Sequence, residues 1–334
     1  MNKNDPKDIL GLFFTISQQL EYATSEKFFY DINPDEFDSI LFVGMGGSGV
    51  AARIIAELFN NKFKTPWSFS NDYLVPEWIS EKSLVVSISQ SGNTEEVYFS
   101  TEDAYRKNAK IIIITSGGNL EILARKLNCP IIKIPPVIAP RGAFGNLFGT
   151  LLNFLKQMKV IDVETKEIEE TIALLEELKS EWTKDDSLPW RIARYLEKSY
   201  PMIYGEENYM NSICFRWVTQ LNENAGILAH FAMQPEMSHN EIVGWRDKSM
   251  PAKILFLCGN QVHPRIALRR EIMKKIIPFE YKMIFPPSGL LKWQEAFYFL
   301  HLGDIVSVYL AYINNKDPFD INEISCLKME MGKK

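Results

Sequence analysis

Two turns limit what this chain can become: Gly44-Met45-Gly46-Gly47-Ser48-Gly49 and Ser89-Gln90-Ser91-Gly92-Asn93-Thr94. An apolar run precedes each, Ser39-Ile40-Leu41-Phe42-Val43 and then Leu84-Val85-Val86-Ser87-Ile88, and an apolar-periodic segment follows each. That order reads as strand, tight turn, helix, and it occurs twice. Helix N-termini expose unpaired N–H groups and carry partial positive charge, so small hydroxyl-bearing residues placed there make a pocket of donors suited to phosphate. Neither turn holds a lysine and no G-x-x-x-x-G-K-S/T occurs, which excludes a nucleotide P-loop. A neutral, hydroxyl-rich cradle points to a phosphate monoester such as a sugar phosphate.

Around these turns the pattern alternates. Strands are expected at 39–43, 66–70, 84–88, 110–115 and 131–134, with helices at about 49–60, 93–107, 119–127 and 144–158. The run Ile111-Ile112-Ile113-Ile114 suits a strand buried on both faces. Such βαβ alternation predicts a doubly wound parallel sheet. A helix is expected from Asp5-Pro6 to about Phe29, and a Glu- and Lys-rich helical stretch fills 162–186. The pattern then restarts, with helices at about 188–198, 207–220, 264–276 and 289–313, strands at 200–204, 252–258 and 280–285, and a short terminal helix after Asp317. The expected organisation is a first domain over 1–158, a helical linker over 159–186 and a second α/β domain over 187–334.

Composition excludes several classes. The net charge of −5 gives no electrostatic footprint for nucleic acid or an anionic membrane. The four cysteines form no C-x-x-C pair and the four histidines no H-E-x-x-H, so a metal site and a cofactor are not expected. No signal peptide and no run of about 18 apolar residues stands out, which leads to the expectation of a soluble cytoplasmic protein.

Gly44, Gly46 and Gly49 also satisfy G-x-G-x-x-G, with Asp72 near the place of a ribose-binding acid, so a nicotinamide-dependent dehydrogenase is one reading. Glycines and serines that merely make tight βα turns are another. The second hydroxyl-rich turn favours a phosphate site over both. Arg141, in Pro140-Arg141-Gly142, is either a surface arginine or a permanently charged donor for a developing oxyanion. Glu223, flanked by Asn222 and Asn224 after an apolar helix, is either a helix-terminal acid or a semi-buried general base with a raised pKa. His239 lies in the polar stretch Met237-Ser238-His239-Asn240-Glu241, accessible for proton transfer, with Glu241 as a capping or orienting group. His230, His263 and His301 read as structural or surface residues.

Taken together, GMGGSG (44–49), SQSGNTEE (89–96), TSGG (115–118), PRGAFG (140–145), NENA (222–225), EMSHNEIVGW (236–245) and DPFDINEISCLK (317–328) make the chain resemble the bifunctional phosphoglucose/phosphomannose isomerases of the sugar isomerase (SIS) superfamily. The resemblance implies two SIS-type, flavodoxin-like subdomains joined by helices. It implies that Ser48, Ser89, Ser91 and Thr94, with the Gly47 backbone and Pro140 alongside, bind the substrate phosphate. It further implies that Arg141 stabilises an enediolate, Glu223 moves the proton between C1 and C2, and His239 opens the sugar ring with Lys328 nearby. A homodimer whose partner subunit donates the histidine, and an isomerisation without a metal or other cofactor, are implied too. Gln90 departs from the family pattern, which leads to a tyrosine or similar residue, and Phe319-Asp320 stands where members often carry a hydroxyl. Glucose 6-phosphate is therefore the firmer substrate and mannose 6-phosphate the second. Two further readings stay open. One is a non-catalytic sugar-phosphate sensor, which measurable turnover would exclude. The other is an aminosugar-phosphate synthase half, which lacks its N-terminal cysteine nucleophile here.

Overall fold

The computed structural model describes residues 3–28, 32–206 and 209–332. In chain order its elements are α1 (Ile9–Phe13), α2 (Ile16–Ser25), β1 (Ser39–Gly44), α3 (Gly46–Leu58), β2 (Trp67–Ser70), β3 (Ser83–Ser89), α4 (Glu95–Arg106), β4 (Lys110–Thr115), α5 (Gly118–Leu127), β5 (Ile131–Lys133), α6 (Phe144–Gln157), α7 (Thr165–Trp182), α8 (Leu188–Leu196), β6 (Tyr200–Gly205), α9 (Met210–Ala225), β7 (His230–Met233), α10 (Glu241–Gly244), β8 (Ala252–Leu257), α11 (Pro264–Ile276), β9 (Glu280–Ile284), α12 (Lys292–Ile313) and α13 (Asn322–Met331). Short 3-10 turns lie at Pro140–Gly142 and Glu236–His239.

Two wholly parallel sheets form, in the orders β2-β1-β3-β4-β5 and β7-β6-β8-β9. In each, the chain's first strand lies inside the sheet, and the order reverses beside it, between β1 and β3 and between β6 and β8. Such a reversal leaves a crevice at the carboxyl ends of the two strands, the usual ligand position in open α/β sheets. Leu41, Phe42, Val43, Val85, Val86, Ile112, Ile113 and Ile114 are buried, as strands covered by helices on both faces require. The expected doubly wound fold is therefore present twice.

Contacts divide the chain into two compact units, Phe14–Leu178, and Met1–Phe13 with Lys179–Lys334. The sequence boundaries at 158 and 187 run differently. Most of the Glu- and Lys-rich helix belongs to the first unit, where Glu176 accepts from Gln18 Nε2 at 2.8 Å and from the Ser17 hydroxyl. The N-terminal residues belong to the second. Asp5 caps α1 by accepting from Ile9 N at 2.8 Å and Leu10 N at 3.0 Å, and also accepts from Tyr312 on α12 at 2.6 Å. The single N-terminal helix expected to about Phe29 is instead α1 and α2, broken at Phe14-Thr15, and Phe29 lies outside the described residues.

α12 is long and apolar enough to cross a membrane, yet it is almost wholly buried within the second unit. It is the helix expected at 289–313, and Gln294, Glu295, His301 and Asp304 interrupt its apolar run. It is fastened to α9 along one seam. Arg216 donates from Nε to Asp304 Oδ1 and from Nη2 to Oδ2, each at 2.9 Å, and Gln220 Nε2 donates to Oδ1 at 2.8 Å. Trp217 Nε1 donates to the Phe299 carbonyl at 2.8 Å, and Asn224 Nδ2 to Ser307 Oγ at 2.9 Å. The Arg216 and Asp304 side chains are 2% and 1% exposed. Removing one charge would leave the other buried and unpaired, a loss of about 3–5 kcal/mol, whereas an apolar pair of similar volume avoids that penalty. Arg216→Met should therefore lower unfolding stability by about that amount in urea denaturation, and Arg216→Met combined with Asp304→Leu should recover most of it. An unchanged midpoint in the single variant would show that the pair does not hold the seam.

Candidate active site

β1 ends at Gly44 and α3 opens at Gly46. The helix expected to begin near residue 49 starts earlier, so the glycine turn is itself the first helical turn. A Cβ at Gly49 would lie 2.6 Å from the Gly44 carbonyl oxygen and 2.8 Å from Phe69 Cζ. Part of the glycine pattern thus serves close strand–helix packing. The first turn of α3 carries no acid, whereas that of α4 carries Glu95 and Glu96. The α3 N-terminus is the more electropositive of the two.

Ser48 sits in the first turn of α3, buried, and its Oγ accepts from Gln90 N at 3.1 Å. That contact joins the two turns across the crevice between β1 and β3. A hydroxyl that accepts keeps its own proton to donate. Ser89, the last residue of β3, lies 2.9 Å from the Thr94 hydroxyl and accepts from Gly92 N at 3.1 Å. Ser48, Ser89 and Thr94 are therefore brought together. Ser91 is exposed at the rim and accepts from Asn93 N at 3.3 Å.

A third turn supports them. Ser116 donates to the Gln90 carbonyl from Oγ at 2.6 Å, and Leu120 N donates to the Gly92 carbonyl at 2.8 Å. Gly92 has φ +68°, and a Cβ there would lie 1.7 Å from the Gly117 oxygen, so no other residue fits. The serine and paired glycines of Thr115-Ser116-Gly117-Gly118 buttress the second turn.

Arg141 is buried in the 3-10 turn Pro140–Gly142, which packs against α3, while Pro140 is exposed. In the second unit, Glu223 lies in the last turn of α9, as the helix-terminal reading has it, because α9 runs to Ala225 and not only to about 220. It is half-buried and lines a cleft of about 710 Å³ with Asn222, Asn224, Lys316, Asp317 and Asp320. His239 and Lys328 are both exposed, on the Glu236–His239 turn and on α13, and neither lines that cleft.

A histidine with a carboxylate partner is His230, which opens β7. β7 escaped the sequence reading because its four residues, His-Phe-Ala-Met, are all half-buried at a sheet edge and show no alternation. His230 Nε2 lies 3.0 Å from Glu241 Oε2, the other Glu241 oxygen accepts from the Tyr204 hydroxyl, and Trp245 Nε1 donates to that hydroxyl at 3.2 Å. Glu241 is thus an orienting group, as expected, but it orients His230 and Tyr204. Asn240 supplies the cap, accepting from Glu241 N at 2.6 Å.

Among the described residues, the second sheet shows a different arrangement at the matching strand end. β6 also ends in a glycine, Gly205, but the next residue is Glu206, whose side chain is fully buried and accepts from Arg270 Nη1 at 2.7 Å. Burial pushes that carboxyl up to about 7, against the opposing guanidinium.

Comparison with known proteins agrees with the fold. The model of the SIS domain matches residues 36–163, and that of the bacterial phospho-glucose isomerase C-terminal SIS domain matches residues 185–331. The chain is 36% identical to the bifunctional phosphoglucose/phosphomannose isomerase of Thermoplasma acidophilum, over 89% of this chain and 90% of that protein. It is 31% identical to the protein of the same name from Caldicellulosiruptor bescii, over 96% and 98%. The C-terminal domain of glucosamine-fructose-6-phosphate aminotransferase from Francisella tularensis shares the fold, with a TM-score of 0.71 at 16% identity, covering 95% of this chain and 99% of that one.

The hydrogen bond to Glu241 raises the His230 pKa above the ordinary histidine value, against partial burial. A raised folded-state value means that the contact stabilises the fold at pH below the ordinary histidine range and is lost as pH rises through the raised value. In an NMR titration, the His230 midpoint should fall in Glu241→Gln; a midpoint that does not move would remove Glu241 as its partner.

Proposed function

The chain belongs to the bifunctional phosphoglucose/phosphomannose isomerase family, and from that premise we propose that it interconverts glucose 6-phosphate and fructose 6-phosphate, with mannose 6-phosphate as a further substrate. One observation supports this reading most: Ser48, Ser89 and Thr94 converge at the switch point beside a helix N-terminus that carries no acid. Three hydroxyls and oriented backbone dipoles suit a phosphate monoester and leave the sugar outside the cradle. Ser91 and the Gly47 backbone complete it at the rim, with Pro140 alongside.

Holding the phosphate fixes C1 and C2, so proton transfer becomes effectively intramolecular. His239 exchanges a proton with the ring oxygen or the C1 hydroxyl and opens the ring, with Lys328 assisting. Glu223 removes the C2 proton from the aldose to give a cis-enediolate and returns it to C1. Arg141 offsets the charge on the enediolate oxygens, where a buried guanidinium acts more strongly than in water. Rotation about C2–C3 before reprotonation presents the other face to the same carboxylate and joins the glucose and mannose epimers. In this reading the protein is a cytoplasmic homodimer, and the exposed His239 serves the site of the partner subunit.

A coupled assay in EDTA, offering fructose 6-phosphate and mannose 6-phosphate separately, tests the proposal. Turnover of both is the expected result. Tight binding of phosphosugar with no turnover would make the protein a sensor. Glu223→Gln should abolish most turnover while phosphosugar binding persists, and full activity in that variant would remove Glu223 from the mechanism. Ser89→Ala should act mainly on KM, by the loss of one hydrogen bond to a charged group, about 1.5–3 kcal/mol. An unaltered KM would put the phosphate elsewhere.

A further inference from the structure

The segment that carries Arg141 is a strap between β5 and α6, and two buried glutamines hold its ends. Gln90 Nε2 donates to the Pro135 carbonyl at 2.8 Å, and Gln19 Nε2 donates to the Gly142 carbonyl at 2.8 Å. Gln19 Oε1 also accepts from Asn146 N at 3.2 Å, tying the start of α6 to the same amide. Pro135, Pro136 and Pro140 restrict the strap and remove donors from it, so few main-chain bonds are available to fix it. Within the strap, Gly142 N donates to Ala139 O at 2.8 Å and Ala143 N to Pro140 O at 3.1 Å, which sets the shape of the turn but not its place. Besides packing against α3 and the bond from Ile134 N to the Thr115 carbonyl, the two glutamines, from α2 and from the second cradle turn, fix its place.

Gln90 is the more informative of the pair. Its main chain belongs to the cradle, where N donates to Ser48 and O accepts from Ser116, while its side chain belongs to the strap. It is 2% exposed, and its Oε1 has no hydrogen-bond partner among the described residues. An apolar residue would fill the same volume without burying an unpaired oxygen, so packing does not explain an amide here. The bond to Pro135 does.

We propose that Gln90 and Gln19 are positioning residues for Arg141, and that Gln90 couples the phosphate cradle directly to the strap. The proposal rests on the reading of Arg141 as the group facing the enediolate. A misplacement of about 1 Å at a charged group can lower turnover by up to about a hundredfold without changing ground-state binding. Loss of either clamp therefore acts on kcat rather than KM.

The test compares Gln90→Met, Gln19→Met and Arg141→Gln, and each glutamine variant combined with Arg141→Gln, by kcat and KM for fructose 6-phosphate together with thermal unfolding. Gln90→Met should lower kcat by about ten- to a hundredfold, with KM within about twofold, and should have little further effect once Arg141 is Gln. Gln19→Met should behave alike from the other end and decides the matter if Gln90→Met does not fold. An equal loss in both backgrounds, or a lower melting temperature with kcat intact, would overturn the clamp. If Arg141→Gln itself leaves kcat unchanged, the reading of Arg141 fails, and the clamp as a catalytic device fails with it for a separate and visible reason.

Discussion

A guanidinium buried as deeply as Arg216 has to be paired, and the geometry of that pairing runs through the second unit. Both arms of Asp304 are used, Gln220 shares one of them, and Trp217 and Asn224 continue the same row of bonds to α12. The bonds are directional, so they fix the rotation of α9 about its axis as well as its distance from α12. Glu223 lies between Gln220 and Asn224 on the same helix. With its neighbours turned inward, the carboxylate is turned toward the cleft with Lys316 and Asp317. His301, on α12, stacks on Trp182, and burial pushes its pKa down to about 3, with the Arg216 charge acting in the same direction.

The first unit solves a different problem, that of holding several small donors in one crevice without collapse. It does so by letting each turn support another: Ser48 accepts from the Gln90 turn, that turn accepts from Ser116, and Thr94 faces Ser89. The second unit keeps the strand order but fills the equivalent crevice with Glu206 and Arg270. One topology thus occurs twice, once with hydroxyl-bearing turns at the switch point and once with a buried ion pair at the matching strand end.

The sheets and the cradle were legible because their signals are local. Runs such as Ile111 to Ile114 identify strands buried on both faces, and a hydroxyl-rich turn after such a strand identifies a helix start. What stayed hidden depends on long-range partners. His230 and Tyr204 gain their meaning only from Glu241, which lies 11 and 37 residues away. Gln90 reads as a residue pointing away from the phosphate; that its amide reaches Pro135 depends on where the strap passes. β7 has no periodicity to find, and the break between α1 and α2 follows from the chain passing from one unit to the other, not from a helix-breaking residue.

The second unit is discontinuous in sequence: α1 belongs with residues that follow Lys179, and the Asp5 carboxylate meets Tyr312 near the end of α12. Residues 14–178 form a continuous stretch that can collapse while the chain is still being synthesised, since domains fold as units in order of emergence. The first few residues cannot. They emerge before that stretch and have to wait for α12, so the core of the second unit closes only when α1 and α12 are present together.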